Sequence, residues 1–162
     1  MSQMSRRNIL LGTGAALLAG MAALPATALP RAPEHSYSAV VVDVNFLRDR
    51  GYGIQADWVE KDLVRALKRQ FNHRLVRNAP RLLVELKGVS LGDYAGGDKS
   101  VSDFLEGDVL VVDKGGKVEK RQPILLALSP MTAGAWYLQD IDRRRITALC
   151  DTFASWVDRY TR

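Results

Sequence analysis

The sequence is poor in the residues that build cofactor sites and covalent cross-links. It has one cysteine, Cys150, so an internal disulfide is excluded and no cysteine cluster is available to bind a metal. Its two histidines, His35 and His73, are far apart and have no cysteine or carboxylate at ligand spacing. Aromatic residues make up only 7% of the chain, and they do not interleave with a basic stripe of the kind that binds nucleic acid. We therefore predict no cofactor, no metal site and no nucleic-acid partner.

Long hydrophobic runs are also missing. The longest apolar stretch, residues 9–24, has 16 residues and contains three glycines, whereas a membrane-spanning helix needs ~20 apolar residues. No cysteine follows this stretch, so it offers no attachment point for a bacterial lipoprotein anchor. We therefore expect no stable membrane span once this segment has been removed.

The N-terminal segment instead has the features of a twin-arginine export signal. We predict export of the folded protein by the twin-arginine machinery, cleavage by signal peptidase after residue 28, and a location in the periplasm. An ordinary secretory signal that carries two arginines, and an uncleaved anchor, are the alternatives. The features are a Ser-Arg-Arg core, a leucine in the apolar stretch and a small-x-small cleavage site, formed by Ser5, Arg6, Arg7, Leu10, Ala26 and Ala28.

The organisation after cleavage is that of one domain. Residues 29–36 contain two prolines and are predicted to form a linker, and residues 37–162 are long enough for one domain with its own core. Loss of residues 1–28 leaves 21 Lys and Arg against 18 Asp and Glu, a net charge of +3. The whole-chain pI of about 9.6 therefore overstates how basic the exported protein is.

The first half of this domain predicts a strand followed by a helix. The β-branched run Tyr37–Val44 predicts a strand, and the consecutive valines at 40–42 indicate that it is central in its sheet. Asp57 and Glu60 have the spacing of a capping box at the start of an amphipathic helix. Residues 78–80, Asn-Ala-Pro, end that helix.

The second half predicts strands and a closing helix. We predict an α+β fold of order β-α-β-β-β-α, with a mixed or antiparallel sheet of about four strands and two helices packed on one face. The supporting segments are a strand at Arg81–Leu91 with a bulge at Gly88, a hairpin of Gly107–Asp113 and Lys117–Gln122 that continues through Pro123 to Leu128, and a helix at Asp142–Tyr160.

Two loops are the candidate contact surfaces. The glycine-rich loop after the second strand departs from a phosphate-binding loop because Asp98 precedes Lys99, and its acidic residues do not have the spacing of an EF-hand. A surface that binds through adaptable polar contacts is the remaining interpretation. The candidate contact residues are Tyr94, Gly96, Gly97, Asp98, Lys99 and Trp136.

Two other groups of residues support alternative functions. The first helix has a basic face formed by Lys61, Arg65, Lys68 and Arg69, which could contact anionic lipid. The carboxylates of Asp43, Asp93 and Asp98 could instead assemble a site for a small ligand or for hydrolysis, if they converge in a concave pocket.

Part of the chain resembles a group of small bacterial envelope proteins of unknown function. The resemblance rests on Gly96-Gly97-Asp98, on Leu105-x-Gly107-x-Val109-x-Val111-x-Asp113, and on Gly116-x-Val118. These proteins are often lipoproteins with a β-α-β-β-α domain, similar in shape to periplasmic modules of outer-membrane assembly and secretion machinery. The lipoprotein cysteine is missing here. The resemblance implies a fold and a non-enzymatic envelope role, and it brings no catalytic residues.

The sequence therefore predicts an exported, soluble periplasmic protein that is not an enzyme. It would work as an accessory or binding module of the cell envelope, with an envelope protein as its possible partner. A small-ligand protein or hydrolase is the first alternative, and a protein that binds anionic lipid through its basic helix is the second.

Overall fold

The computed structural model describes residues 35–92, 102–135 and 137–162. The secondary structure confirms the predicted α+β class, with one short helix added after the first strand. The elements are β1 (Ala39–Asp43), α1 (Asn45–Asp49), α2 (Gly53–Phe71), β2 (Arg81–Ser90), β3 (Asp103–Val112), β4 (Val118–Leu128) and α3 (Ile141–Tyr160), with 3-10 turns at Asn72–Arg74 and Pro130–Ala133.

In the described residues the strands form one mixed sheet in the order β1-β2-β3-β4. β1 runs parallel to β2, and the other neighbours are antiparallel. The prediction that the first strand is central was wrong, because β1 lies at the edge of the sheet. Its consecutive valines do not indicate burial on both faces, since Val42 is 9% exposed and Val41 is 39% exposed.

The hairpin and the bulge were predicted correctly. β3 and β4 are joined by a turn in which Gly116 has φ of 85°, a value that glycine adopts without strain. The β2–β3 register shifts between Leu86 and Gly88. Gly107 lies opposite Leu86, and a Cβ at this position would come within 2.8 Å of the Glu85 carbonyl oxygen. The two strands can therefore approach this closely only because residue 107 has no side chain.

The first long helix begins earlier than the sequence indicated. α2 starts at Gly53 and has no side-chain cap, so the predicted capping box of Asp57 and Glu60 was wrong. Both carboxylates instead bind Arg48 on α1, at 3.0 and 2.6 Å from its Nη2. α2 also ends earlier than expected, at Phe71 rather than near residue 78.

α2 and α3 pack on one face of the sheet, as predicted, and run parallel to each other. Three ion pairs join them at nearly constant sequence separations of 81, 82 and 84 residues, which is the pattern of two helices with the same direction. These pairs are Asp62–Arg143, Arg69–Asp151 and Arg74–Asp158, where Arg74 lies just after α2. Beneath them lies the apolar core, which includes Leu63, Leu67, Phe71, Leu82, Val84, Leu149 and Phe153.

Arg74 joins the beginning and the end of the described domain. Its guanidinium donates to the carbonyl of His35 at 2.7 Å, to Asp158 at 2.8 Å and to the carbonyl of Thr161 at 2.6 Å. The same guanidinium lies 5.3 Å from the ring centroid of Tyr37. Because it is buried, its charge is tolerated only through these partners.

Candidate binding groove

The candidate site lies on the sheet face opposite α2 and α3, where β1 ends. Asp43 is in register with Glu85 on β2, and Glu85 is in register with Asp108 on β3. Residues in register on neighbouring strands point to the same face of a sheet. Three carboxylates therefore form a row across three strands.

Asp108 is the fully paired member of this row. It is 2% exposed, and it accepts from Lys87 Nζ at 2.8 Å and from Arg121 Nε at 2.5 Å. Burial alone would raise the pKa of Asp108, but the hydrogen bonds from Lys87 and Arg121 outweigh it and hold the pKa below its usual value. Asp108 is therefore ionised and neutralised, and the charge of Lys87 is committed to it.

Asp43 and Glu85 keep carboxylate oxygens that are available to a ligand. Oδ1 of Asp43 accepts from the backbone N–H of Asn45 at 2.8 Å, which fixes the carboxylate at the start of α1. Glu85 makes no hydrogen bond or ion pair with any residue in the described parts of the chain. Like charges in register repel each other, so a cation placed between these two carboxylates would be stabilised.

A groove of about 330 Å³ is lined by Asp43, Phe46, Glu85, Leu86 and Lys87. Phe46 on α1 is partly exposed and forms the apolar wall beside the two carboxylates. The guanidinium of Arg50 lies 4.9 Å from the centroid of the Phe46 ring, so this ring already contacts one cation of the chain. An acidic groove with an aromatic wall fits a positively charged group carried on an apolar stem, such as an arginine or lysine side chain.

The groove has no metal-binding arrangement that the structure describes. Within residues 35–92, 102–135 and 137–162, no three His, Cys, Asp or Glu side chains are placed to hold a metal ion. Of the three carboxylates that the sequence suggested for a ligand site, only Asp43 lies in these ranges, and Asp93 and Asp98 lie outside them. The partner that Asp43 has in the groove is Glu85, which the sequence analysis did not select.

The predicted contact loop lies outside the described residues, as does Trp136. Its two flanking residues are nevertheless described and are tied together. Arg145 on α3 donates to Asp103 Oδ2 from Nε at 2.9 Å and also binds the carbonyl of Gly92, while Asp103 accepts from the Gly92 N–H at 2.9 Å. Arg145 and Asp103 are both buried, so the base of the loop is fixed to α3. The contact residues without a described position are Tyr94, Gly96, Gly97, Asp98, Lys99 and Trp136.

The predicted basic face is partly neutralised. Arg65 lies 3.5 Å from Asp62, and Arg69 lies 2.6 Å from Asp151. Lys61 and Lys68 are exposed and form no ion pair in the described part of the chain. The face therefore presents two uncommitted cations rather than four.

The residues of the predicted export signal, Ser5, Arg6, Arg7, Leu10, Ala26 and Ala28, lie outside the described residues. None of the helices that the structure does describe is both long enough and apolar enough to cross a membrane.

Comparison with known proteins gives no family. No family model matches the sequence, and no curated protein matches it. An uncharacterized protein of known structure has 18% identity and a TM-score of 0.41 over 64% of this chain; the match spans 61% of that protein, less than two thirds of its length.

Two further solved structures cover more of the chain. A DUF330-family protein from Xanthomonas campestris has 14% identity and a TM-score of 0.49, with 81% of this chain and 89% of that chain covered. A minor lipoprotein from Acinetobacter baumannii has 11% identity and a TM-score of 0.45, with 78% and 92% covered. These values describe a limited likeness in fold and assign the chain to no family.

Proposed function

We propose that the protein is an exported, non-enzymatic binding module of the bacterial cell envelope, and that its groove receives a basic side chain of an envelope partner. The observation that carries the proposal is Glu85, an acidic side chain without a described partner, placed in register with Asp43 and beside Phe46. The features of the first 28 residues support export by the twin-arginine route, cleavage by signal peptidase and a periplasmic location.

The chemistry of the groove favours binding of a cation over hydrolysis. The guanidinium or ammonium of the ligand would lie between Asp43 and Glu85, and its methylene groups would pack on Phe46. Lys87 does not compete for this position because its ammonium is held by Asp108 at 2.8 Å. The basic face of α2 gives less support for a lipid-binding function, because Asp62 and Asp151 already neutralise two of its four cations.

The binding step can be tested with a defined probe. We would titrate the ¹⁵N-labelled protein, purified after export, with the blocked peptide acetyl-Gly-Arg-Gly-amide and follow amide shifts by NMR. We expect saturable shifts at Asp43, Phe46 and Glu85, and at least a tenfold weaker affinity for Glu85→Gln. The matched control is Glu119→Gln, an exposed carboxylate on β4, which should bind as the wild type does. Shifts that do not saturate, or that survive in Glu85→Gln, would overturn the proposal.

The partner can be tested in the cell with a photo-crosslinking amino acid at residue 46. We expect one discrete crosslinked envelope protein, which disappears when Asp43→Asn and Glu85→Gln are combined. The same crosslinker at Lys68, an exposed residue of α2 on the helix-covered side of the sheet, is the control. Crosslinking that is equal at both positions, or that persists in the double variant, would contradict a specific partner in the groove.

The export part of the proposal has a separate test. Replacing Arg6 and Arg7 by lysines should stop export through the twin-arginine route and leave the full-length chain in the cytoplasm. The mass of the exported wild-type protein should correspond to residues 29–162. Unchanged export of the double-lysine variant would favour the ordinary secretory route instead.

A further inference from the structure

A second cavity, which we call the arginine pocket, lies on the helix-covered side of the sheet, where α2 and α3 end. The binding groove lies on the opposite face, so the two cavities are separate sites. The arginine pocket has a volume of about 370 Å³ and is lined by Gln70, Ser155, Asp158, Arg159 and Arg162.

The carboxylate of this pocket, Asp158, is already shared by two cations. Arg74 Nη1 donates to its Oδ1 at 2.8 Å, and Arg162 Nη2 donates to its Oδ2 at 2.5 Å. Both carboxylate oxygens are therefore engaged, and one negative charge faces two positive charges. The preceding acidic residue of α3, Asp151, is held by Arg69 at 2.6 Å and does not correct this imbalance.

Arg159 adds a positive charge that has no carboxylate. In residues 35–92, 102–135 and 137–162 its guanidinium makes no hydrogen bond or ion pair, and it lies 5.4 Å from the ring centroid of Trp156. A contact with the face of an aromatic ring orients a guanidinium without using its N–H groups. The pocket therefore has three guanidiniums around one carboxylate, which is a surplus of two positive charges.

Gln70 supplies an uncharged donor at the same place. Its Nε2 donates to the Ser155 hydroxyl at 3.5 Å, and this hydroxyl donates to the carbonyl of Asp151 at 3.1 Å. The second N–H of the Gln70 amide has no partner in the part of the chain that the structure describes. Uncommitted N–H groups of Gln70, Arg159 and Arg162 thus line one cavity, and a ligand that fits them carries acceptor oxygens and about two negative charges.

We propose that the arginine pocket binds the phosphate group of a phosphomonoester. Such a group carries about −1.5 to −2 charges at pH 7 and has three strong acceptor oxygens, which matches both the surplus charge and the donors. The planar fork of Arg159 binds two of these oxygens, and Arg162 and Gln70 donate to the third. A carboxylate would supply one negative charge and leave half of the surplus. The groove binds a cation and this pocket an anion, so neither proposal depends on the other.

The first test uses inorganic phosphate as the probe. We would titrate the ¹⁵N-labelled protein, purified after export, with sodium phosphate in exchange for sodium chloride at constant ionic strength. We expect saturable NMR shifts at the Arg159 Nε–H and at the Gln70 side-chain amide. Arg159→Gln should lower the affinity by about tenfold or more, because it removes a charged pair of donors.

The matched control is Arg144→Gln, which removes an exposed guanidinium from the other end of the same helix and should change the affinity less than about twofold. Arg159 is exposed and forms no ion pair with a described residue, so its substitution leaves the fold intact, which circular dichroism checks. Shifts that do not saturate, or an equal loss of affinity in the two variants, would overturn the proposal.

The second test separates a soluble phosphomonoester from a lipid headgroup. The probes are glycerol 3-phosphate and phosphatidylcholine vesicles that contain phosphatidic acid, since both carry the same phosphate group. Binding of glycerol 3-phosphate alone, weakened in Arg159→Gln, assigns the pocket to a soluble ligand. Cosedimentation with the vesicles that is lost in Arg159→Gln assigns it to a headgroup. Binding of neither probe, or binding that Arg159→Gln leaves unchanged, would contradict a phosphate site at these residues.

Discussion

The two faces of the sheet both carry charged side chains, but in different states of pairing. On the helix-covered face, the buried carboxylates of Asp62 and Asp103 each have a guanidinium partner, from Arg143 and Arg145. On the opposite face, Asp108 is paired, whereas Glu85 in the next strand has no partner among the described residues. Paired buried charges hold a fold in one arrangement, and an unpaired charge at a groove is available to a ligand.

The largest effect should come from breaking a pair on the helix-covered face. Arg145→Ala leaves the carboxylate of Asp103 buried without its cation, which costs about 3–5 kcal/mol in the free energy of unfolding. The matched control is Arg144→Ala on the same helix, where the pair with Asp140 is exposed and contributes about 0.3–0.5 kcal/mol. Urea denaturation monitored by circular dichroism measures both. Equal losses in the two variants would remove the distinction between the buried and exposed pairs.

The second-largest effect is a pH dependence of the free energy of unfolding, caused by Asp62 on the same helix-covered face. Burial alone would raise the pKa of Asp62, but hydrogen bonds from Arg143 and Thr147 outweigh it and hold the pKa below the ordinary value of 3.8. A carboxyl with a lowered folded-state pKa contributes stability that is complete above its unfolded-state pKa and is lost as the pH falls through the folded-state value. Unfolding free energies from pH 7 to pH 2.5 should therefore fall more steeply for the wild type than for Asp62→Asn. Parallel curves would show that Asp62 is not the titrating group.

A smaller effect, an increase in the free energy of unfolding, is expected from a substitution in the groove. Glu85→Gln removes a charge that repels Asp43 and breaks no ion pair, so the free energy of unfolding should rise by about 0.2–0.5 kcal/mol at low salt. The gain should fade as the salt concentration rises, because the repulsion is screened. Denaturation at two salt concentrations measures it. A loss of stability would mean that Glu85 is held by a structural partner, and the contrast between the two faces would then fail.

The smallest effect is expected in the reactivity of Cys150, whose thiol lies between α2 and α3. Burial raises the pKa of Cys150 far above its ordinary value, so its thiolate is not available in the folded protein. Cys150 should react with Ellman's reagent only at the rate of unfolding. Cys150→Ala combined with Ser155→Cys, which places an exposed thiol on the same helix, is the matched control and should react within seconds. Fast reaction of the wild-type protein would show that the α2–α3 interface opens.

Local sequence signals predicted most of the fold and little of the site. Alternation and the Gly115-Gly116 turn predict the β3–β4 hairpin because both act within a few residues. The sequence of the short helix α1 has no periodic hydrophobic pattern that would predict it. Arg48 of this helix pairs with Asp57, so Asp57 does not cap α2. These choices depend on contacts formed only in the folded chain.

The groove depends on strand register in the same way. Asp43 could be selected because it interrupts an apolar strand. Glu85 looks like an ordinary outward-facing residue until β1 is paired in parallel with β2, which brings the two carboxylates together. β1 and β2 run parallel because the chain crosses the sheet through α2 between them. No short sequence motif predicts this pairing.

Gly107 limits how this protein can diverge in sequence. Any codon change that replaces it adds a Cβ within 2.8 Å of the Glu85 carbonyl, so β2 and β3 would have to separate directly beneath the groove. The side chains of Glu85 and Phe46 take no part in this close contact between β2 and β3, so their replacement leaves the contact intact. A lineage of such proteins could therefore exchange one partner for another by changing residues 46 and 85, while selection keeps glycine at 107.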